Sequence, residues 1–152
     1  MPTVQIEETV DAARDALFAV LTDHEGYGRF PGIQSCTLVR EGHSERNGLG
    51  AVRRVHLGGP AVLDEEIVVY EPPAVYEYRV IRARPFPVKH RLGRVELEAL
   101  DDRHTRVVWT STFEIAVPVI GKRIGNHAAS QFAKAFRATI RRAAELTVQK
   151  AA

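Results

Sequence analysis

The sequence predicts an α+β domain: a curved antiparallel sheet of about seven strands wrapped around one long C-terminal helix, with two short helices after the first strand. Three observations predict it. Residues 127–149 contain no Gly or Pro, and Phe132, Phe136 and Ile140 recur every four residues with Ala129, Ala133 and Ala143 beside them. That is one apolar stripe at helical period, and at about 1.5 Å per residue it spans roughly 33 Å. Upstream, short strand-like runs are punctuated by Gly58-Gly59-Pro60, Pro72-Pro73 and Asp101-Asp102-Arg103-His104. Connections this short join neighbouring antiparallel strands and leave no room for crossovers.

The elements follow in order. Thr3 to Val10 alternates weakly and reads as a strand. Asp11 is placed to cap a helix over Ala12 to Leu21, with Ala13, Leu17, Val20 and Leu21 on one face. His24 to Phe30 suits a second short helix, stopped by Pro31-Gly32. Strands are expected over Ile33 to Glu41, Ala51 to Leu57, Ala61 to Tyr70, Val75 to Ile81, Arg91 to Leu100 and Arg106 to Ile115. Gly121 and Gly125 precede the long helix after Pro118. They either bend its start or belong to a loop ending before Asn126 or His127. No repeat, linker or low-complexity segment divides the chain, so residues 1–152 are expected to form a single domain.

Composition narrows the function classes. The 152 residues are 45% hydrophobic, enough for a real core. The net charge of +2 does not imply a nucleic-acid partner. Cys36 is the only cysteine, so no internal disulfide forms. Glu7, Glu8 and Asp11 do not fit a signal peptide, and no apolar run approaches the ~20 residues of a membrane span. A cytoplasmic location without a transmembrane segment is the expectation.

Strand register assigns the inner face. A loop at 58–60 sets Leu57 opposite Ala61, Val55 opposite Leu63 and Arg53 opposite Glu65. One face then carries Ala51, Arg53, Val55, Leu57, Ala61, Leu63, Glu65, Ile67 and Val69. The other carries Arg54, His56, Asp64 and Glu66, so the first set faces the helix. Continuing across the next turn places Val69 opposite Tyr76 and Ile67 opposite Tyr78. Val95, Leu97 and Ala99 face inward beside Val107, Trp109, Ser111 and Phe113.

This order resembles the START/birch-pollen-allergen-like (SRPBCC) superfamily, whose architecture is the helix-grip fold. Within it the chain is similar to the polyketide cyclase/dehydrase and lipid transport family. The resemblance rests on the stretch from Val4 to Phe18, Y-G-R-F-P-G-I-Q-S-C-T-L-V from Tyr27, and G-A-V-R-R-V from Gly50. E-I-V-V-Y-E-P-P from Glu66, T-R-V-V-W from Thr105 and the terminal helix complete it. Nearly the whole chain is covered, by framework residues. The resemblance implies a START-like ligand cavity between sheet and helix; it implies neither a particular ligand nor a common catalytic set.

Candidate ligand-binding residues follow from the inner face: Arg53, Leu57, Glu65, Ile67, Tyr76, Tyr78, Leu97, Trp109, Phe113, Phe132 and Phe136. Arg53 and Glu65 read either as a polar anchor for a carboxylate, carbonyl or phenol, or as a structural ion pair. The aromatic residues either line the cavity or fill it. Tyr27, Phe30, Pro31 and Ile33, with Phe86 between Pro85 and Pro87, form a candidate rim. The histidines show no metal-ligand spacing and read as mostly surface residues, with His56 and His90 on the outer face. Cys36 reads as inert. Lys134, Arg137, Arg141 and Arg142 read as a solvated basic helix face. No phosphate loop, dinucleotide fingerprint or nucleophile elbow is present, so no cofactor, metal or catalytic set is assigned.

The leading expectation is binding or transport of a hydrophobic small molecule of the lipid, polyketide or isoprenoid class, by a monomer or homodimer. A polyketide cyclase or dehydratase using general acid–base residues in the cavity is the first alternative. A protein-interaction module is the second, because Tyr-x-x-Phe-Pro is also similar to ubiquinone-binding chaperones.

Overall fold

The computed structural model of the chain describes residues 3–115 and 121–151. Strand β1 (Thr3–Val10) leads to helix α1 (Arg14–Leu21) and a 3-10 helix over His24–Arg29. Six strands follow: β2 (Ser35–Arg40), β3 (Val52–His56), β4 (Val62–Glu71), β5 (Val75–Arg84), β6 (Val88–Ala99) and β7 (Thr105–Ile115). Helix α2 (Gly121–Ala151) closes the chain. The seven strands form one sheet in the order β1-β7-β6-β5-β4-β3-β2, every pair antiparallel. This is the helix-grip arrangement.

Helix α1 starts later than the sequence predicts. Ala13 occupies its N-cap without a side-chain hydrogen bond, and Asp11 stays exposed 3.4 Å from His104 Nε2. The cause is a tertiary contact: the buried Thr105 hydroxyl donates to the Ala12 carbonyl at 2.7 Å. That bond holds Ala12 at the end of β1, so Ala12 is buried and Ala13 exposed. Leu17, Phe18, Val20 and Leu21 supply the helix's core face.

The β3–β4 hairpin has the predicted register, with Leu57 N–H donating to the Ala61 carbonyl at 3.0 Å and Arg53 opposite Glu65. Gly58 and Gly59 take φ of 86° and 57°, a left-handed pair that suits glycine at this turn. Elsewhere among the described residues the ladders carry four register shifts, one of them at the β2 edge between Leu38 and Arg40, and the other three change faces nearer the cavity. Ile67 lies opposite Tyr78 as expected, but a register shift sets Val69 opposite Glu77 and Tyr70 opposite Tyr76. A second shift leaves Ile81 out of the β4–β5 ladder, between Arg82 and Val80. A third, between His90 and Leu92, leaves Arg91 out of the β6–β7 ladder. An extra residue reverses the alternation beyond it, so Val88 and His90 face inward and His90 leaves the outer face assigned to it.

Helix α2 starts at Gly121 rather than His127, running through both Gly121 and Gly125, so the loop reading is replaced. It packs on β1, β7 and α1. Its later turns bury Ile140, Ala143, Ala144 and Leu146, whereas Phe132 and Phe136 are only half-buried. On the outer side Arg137 and Arg141 reach Glu8 of β1 at 2.8 and 3.1 Å. Part of the basic face therefore ties the helix to the sheet edge. No helix among the described residues is long and apolar enough to cross a membrane.

Candidate functional site

A cavity of about 380 Å³ lies between the sheet and the earlier turns of α2. Its walls come from Val55, Leu57 and Leu63 on the β3–β4 hairpin, Trp109 on β7, and Phe132, Ala135 and Phe136 on α2. Pro31, Gly32 and Ile33 line it from the loop after the 3-10 helix. A smaller lobe of about 60 Å³ adjoins it, sharing Leu63, Glu65, Tyr78, Phe132 and Phe136 and adding Val80, Val88, His90, Ser111 and Phe113. The half-burial of Phe132 and Phe136 follows from this hollow beneath them.

Arg53, 2% exposed, is the central polar group. Its Nε donates to Glu65 Oε1 at 2.8 Å and its Nη1 to His24 Nδ1 at 3.2 Å. Its guanidinium carbon lies 4.5 Å from the Tyr27 ring centroid and 5.3 Å from that of Tyr78. Two aromatic faces and one carboxylate thus compensate a cation removed from water. Arginine can only donate, so His24 Nδ1 is the acceptor and Nε2–H donates to the Asn47 carbonyl at 2.9 Å. His24 is consequently neutral: burial, then the Arg53 charge, pushes its pKa down to about 3.

Tyr78 stands beside this group. Its oxygen accepts from Trp109 Nε1–H at 2.9 Å, and its own proton has no acceptor among the described residues. Burial, then the Glu65 charge, pushes the phenol's pKa up, so it stays protonated. The ring lies over Gly93, where a Cβ would come within 2.4 Å of it. His90 stacks on the other part of this cluster, 5.5 Å from the Tyr78 ring centroid. Its Nδ1 accepts the Val80 N–H at 3.2 Å, which leaves Nε2–H to donate to Ser111 Oγ at 3.2 Å. Burial lowers its pKa to about 4. Held in this tautomer, His90 is not a base toward Ser111; the serine hydroxyl keeps its own proton.

The apolar wall is a stack of rings. Trp109 and Phe136 lie parallel at 4.1 Å, Phe136 and Phe132 parallel at 6.0 Å, and Phe132 meets Phe113 edge-on at 5.3 Å. Together the lobes offer flat apolar surface with guanidinium and phenol donors and one carboxylate grouped on the sheet side.

Of the sequence candidates, Arg53, Leu57, Glu65, Tyr78, Trp109, Phe132 and Phe136 line the main lobe, and Phe113 the smaller one. Ile67, Tyr76 and Leu97 are buried in the core away from both lobes. Tyr76 donates to Tyr27 Oη at 3.3 Å, which in turn donates to the Leu21 carbonyl at 2.6 Å. Of the candidate rim, Tyr27, Pro31 and Ile33 line the main lobe. Phe30 is buried edge-on against Tyr27, and Phe86 is exposed at the β5–β6 turn, outside both linings. Sequence reasoning missed Val80, Val88, Gln131, Ala135 and Thr139 in the linings, and the two histidines: His90 in the smaller lobe and His24 behind Arg53. The spacing of His24 to Tyr27, one turn apart on a 3-10 helix, was the available signal for His24. Cys36 is buried and its pKa is pushed up to about 11 by that burial. Among the described residues no three His, Cys, Asp or Glu side chains gather as metal ligands.

Solved structures of similar fold include the Zhui aromatase/cyclase from Streptomyces sp. R1128, at 21% identity and a TM-score of 0.82, covering 99% of this chain and 96% of that one. A START superfamily protein from Mycobacterium smegmatis matches at 16% identity and a TM-score of 0.69, covering 90% and 96%. The di-domain ARO/CYC BexL from the BE-7585A biosynthetic pathway matches at 17% identity and a TM-score of 0.75, covering 97% of this chain and 48% of that one. No curated protein matches the chain. The family described as polyketide cyclase / dehydrase and lipid transport matches residues 1–147. That match supports a role in hydrophobic ligand binding or polyketide chemistry, and with nearly the whole chain covered, this protein belongs to the polyketide cyclase/dehydrase and lipid transport family.

Proposed function

We propose that the protein binds a hydrophobic ligand of the polyketide class, with a flat aromatic or polycyclic body, in the cavity between sheet and α2. The ligand's ring system lies along Trp109, Phe132 and Phe136, and a carbonyl, phenolate or carboxylate meets Arg53 and Tyr78. The carrying observation is a fully buried arginine among the residues that line a largely apolar cavity. Such a group costs several kcal/mol to desolvate, and its Nε and Nη1 bonds leave further N–H groups for a ligand. Native mass spectrometry of freshly purified protein, followed by solvent extraction, tests this. One apolar adduct per chain is expected, lost in Arg53→Met; an adduct kept in that variant would remove Arg53 from the site.

A second reading, ring closure or dehydration on a polyketide-like substrate, is favoured by the unclaimed Tyr78 proton. Arg53 would hold the developing enolate oxygen, Tyr78 would protonate a leaving or carbonyl oxygen, and Glu65 would accept a carbon-bound proton. Glu65→Gln separates the readings. Turnover lost with binding retained supports the enzyme; unchanged turnover removes Glu65 from the chemistry.

A further inference from the structure

From Tyr78 to Val95 the chain carries Arg79, Arg82, Arg84, Lys89, Arg91 and Arg94 and no acidic residue, although its net charge is only +2. The rest of the molecule is therefore net acidic, and the β5–β6 hairpin is one of two concentrations of positive charge; in the other, helix α2, Arg137, Arg141 and Arg142 are paired with Glu8 and Glu145. Arg79 lies 3.8 Å from Glu66, and Arg94 pairs with Glu77 and Glu96. Arg82, Arg84, Lys89 and Arg91 are exposed and make no ion pair among the described residues. The acidic groups across the ladders are Asp64, opposite Arg82 but bonded to Arg54, and Glu114, opposite Lys89. At the tip, Phe86 is 48% exposed between Pro85 and Pro87.

The backbone beneath this tip is divided. Strands β5 and β6 pair only from Val75↔Glu96 to Tyr78↔Gly93; beyond that β5 stays on β4 and β6 on β7. The His90 ring bridges the gap by accepting the Val80 N–H. Val80, Val88 and His90 at this division also line the smaller lobe. The cationic arch thus stands over one end of the cavity.

We propose that the β5–β6 arch docks on an anionic membrane surface, with Phe86 inserted at the headgroup–acyl boundary and Arg82, Arg84, Lys89 and Arg91 against the lipid headgroups. A single exposed ring is ordinary, and a basic patch alone is ordinary. An aromatic ring projecting between two prolines, amid four free cations, combines the apolar and electrostatic parts of interfacial binding. Pro85 and Pro87 lack N–H groups, so the tip around Phe86 is itself a poor template for strand pairing, although the β5 and β6 edges below it are not paired with each other. Insertion of one ring into lipid needs no strand pairing. The inference is independent of what the cavity holds.

Co-sedimentation of the full chain with vesicles of equal parts phosphatidylserine and phosphatidylcholine tests it, against vesicles of phosphatidylcholine alone. Partition is expected on the anionic vesicles and at least about tenfold weaker on the neutral ones and in high salt. Arg82→Glu with Arg84→Glu, and separately Phe86→Ser, should each weaken it at least about tenfold. Both variants change exposed side chains and should melt as the unaltered protein does, with cavity binding retained. No partition on anionic vesicles, or partition undiminished in both variants, would overturn the proposal. So would binding to polyglutamate without vesicle binding, which would assign the arch to an acidic protein instead.

Discussion

Truncating Arg53 alone leaves the Glu65 carboxylate buried without the cation that faces it, and leaves His24 Nδ1 without its donor. Breaking a buried pair from one side costs about 3–5 kcal/mol, whereas replacing both partners by apolar residues is close to neutral. Arg53→Met should therefore lower the denaturant midpoint sharply, and Arg53→Met with Glu65→Leu should recover most of it while losing the ligand's polar anchor. Equal destabilisation by the single and double variants would contradict the pairing. The buried His24 and the half-buried His90 set a pH dependence. Both have folded pKa values, about 3 for His24 and about 4 for His90, below the ordinary 6.5. The unfolded chain then binds more protons between those values, so stability is full above pH ~6.5 and falls as the pH drops. At pH 5 each histidine should have removed roughly 2 kcal/mol, measurable by urea unfolding across pH. His24→Gln and His90→Gln should each flatten that slope; an unchanged slope would mean that neither ring is held neutral.

At the scale of elements, Gly93 fixes where the Tyr78 ring lies. A methyl group there would come within 2.4–2.7 Å of ring carbons, so Gly93→Ala forces Tyr78 out of its place. Loss of the Trp109–Tyr78 hydrogen bond and overpacking should cost about 1–3 kcal/mol. A shifted Trp109 emission spectrum would report it, and an unaltered spectrum would show that the sheet gives way instead. The same elements show what sequence can and cannot reveal. The Gly58-Gly59-Pro60 turn counts residues unambiguously, so Arg53 opposite Glu65 was legible from strand alternation alone. Strand alternation also gave the inward Trp109, and helical period gave Phe132 and Phe136. The bulges were not legible, because one extra residue such as Arg91 leaves no compositional mark yet reverses the faces of Val88 and His90. The start of α1 failed for a different reason: capping propensity at Asp11 yielded to the Thr105–Ala12 hydrogen bond, a contact between residues far apart in sequence.

For the molecule as a whole, α2 divides the labour. Its later turns, with Ile140, Ala143, Ala144 and Leu146 buried, lock it to α1, β1 and β7. Its earlier turns bridge the hollow through Phe132 and Phe136, so the cavity is supported at one end by a packed core and at the other by side chains that a ligand would cover. A ligand bound there adds stability by mass action, about 2.7 kcal/mol at a hundred times its Kd. Trp109 is the only tryptophan in the chain and lines the cavity, so its fluorescence reports on that space alone. The most direct test is a Trp109 fluorescence titration with a hydroxylated anthraquinone carboxylate, on the unaltered protein and on Arg53→Met with Glu65→Leu. Saturable quenching at one ligand per chain, weakened at least about tenfold in the double variant, is expected from a charge-assisted anchor. Quenching that never saturates, or equal affinity in both proteins, would contradict an aromatic ligand held by Arg53.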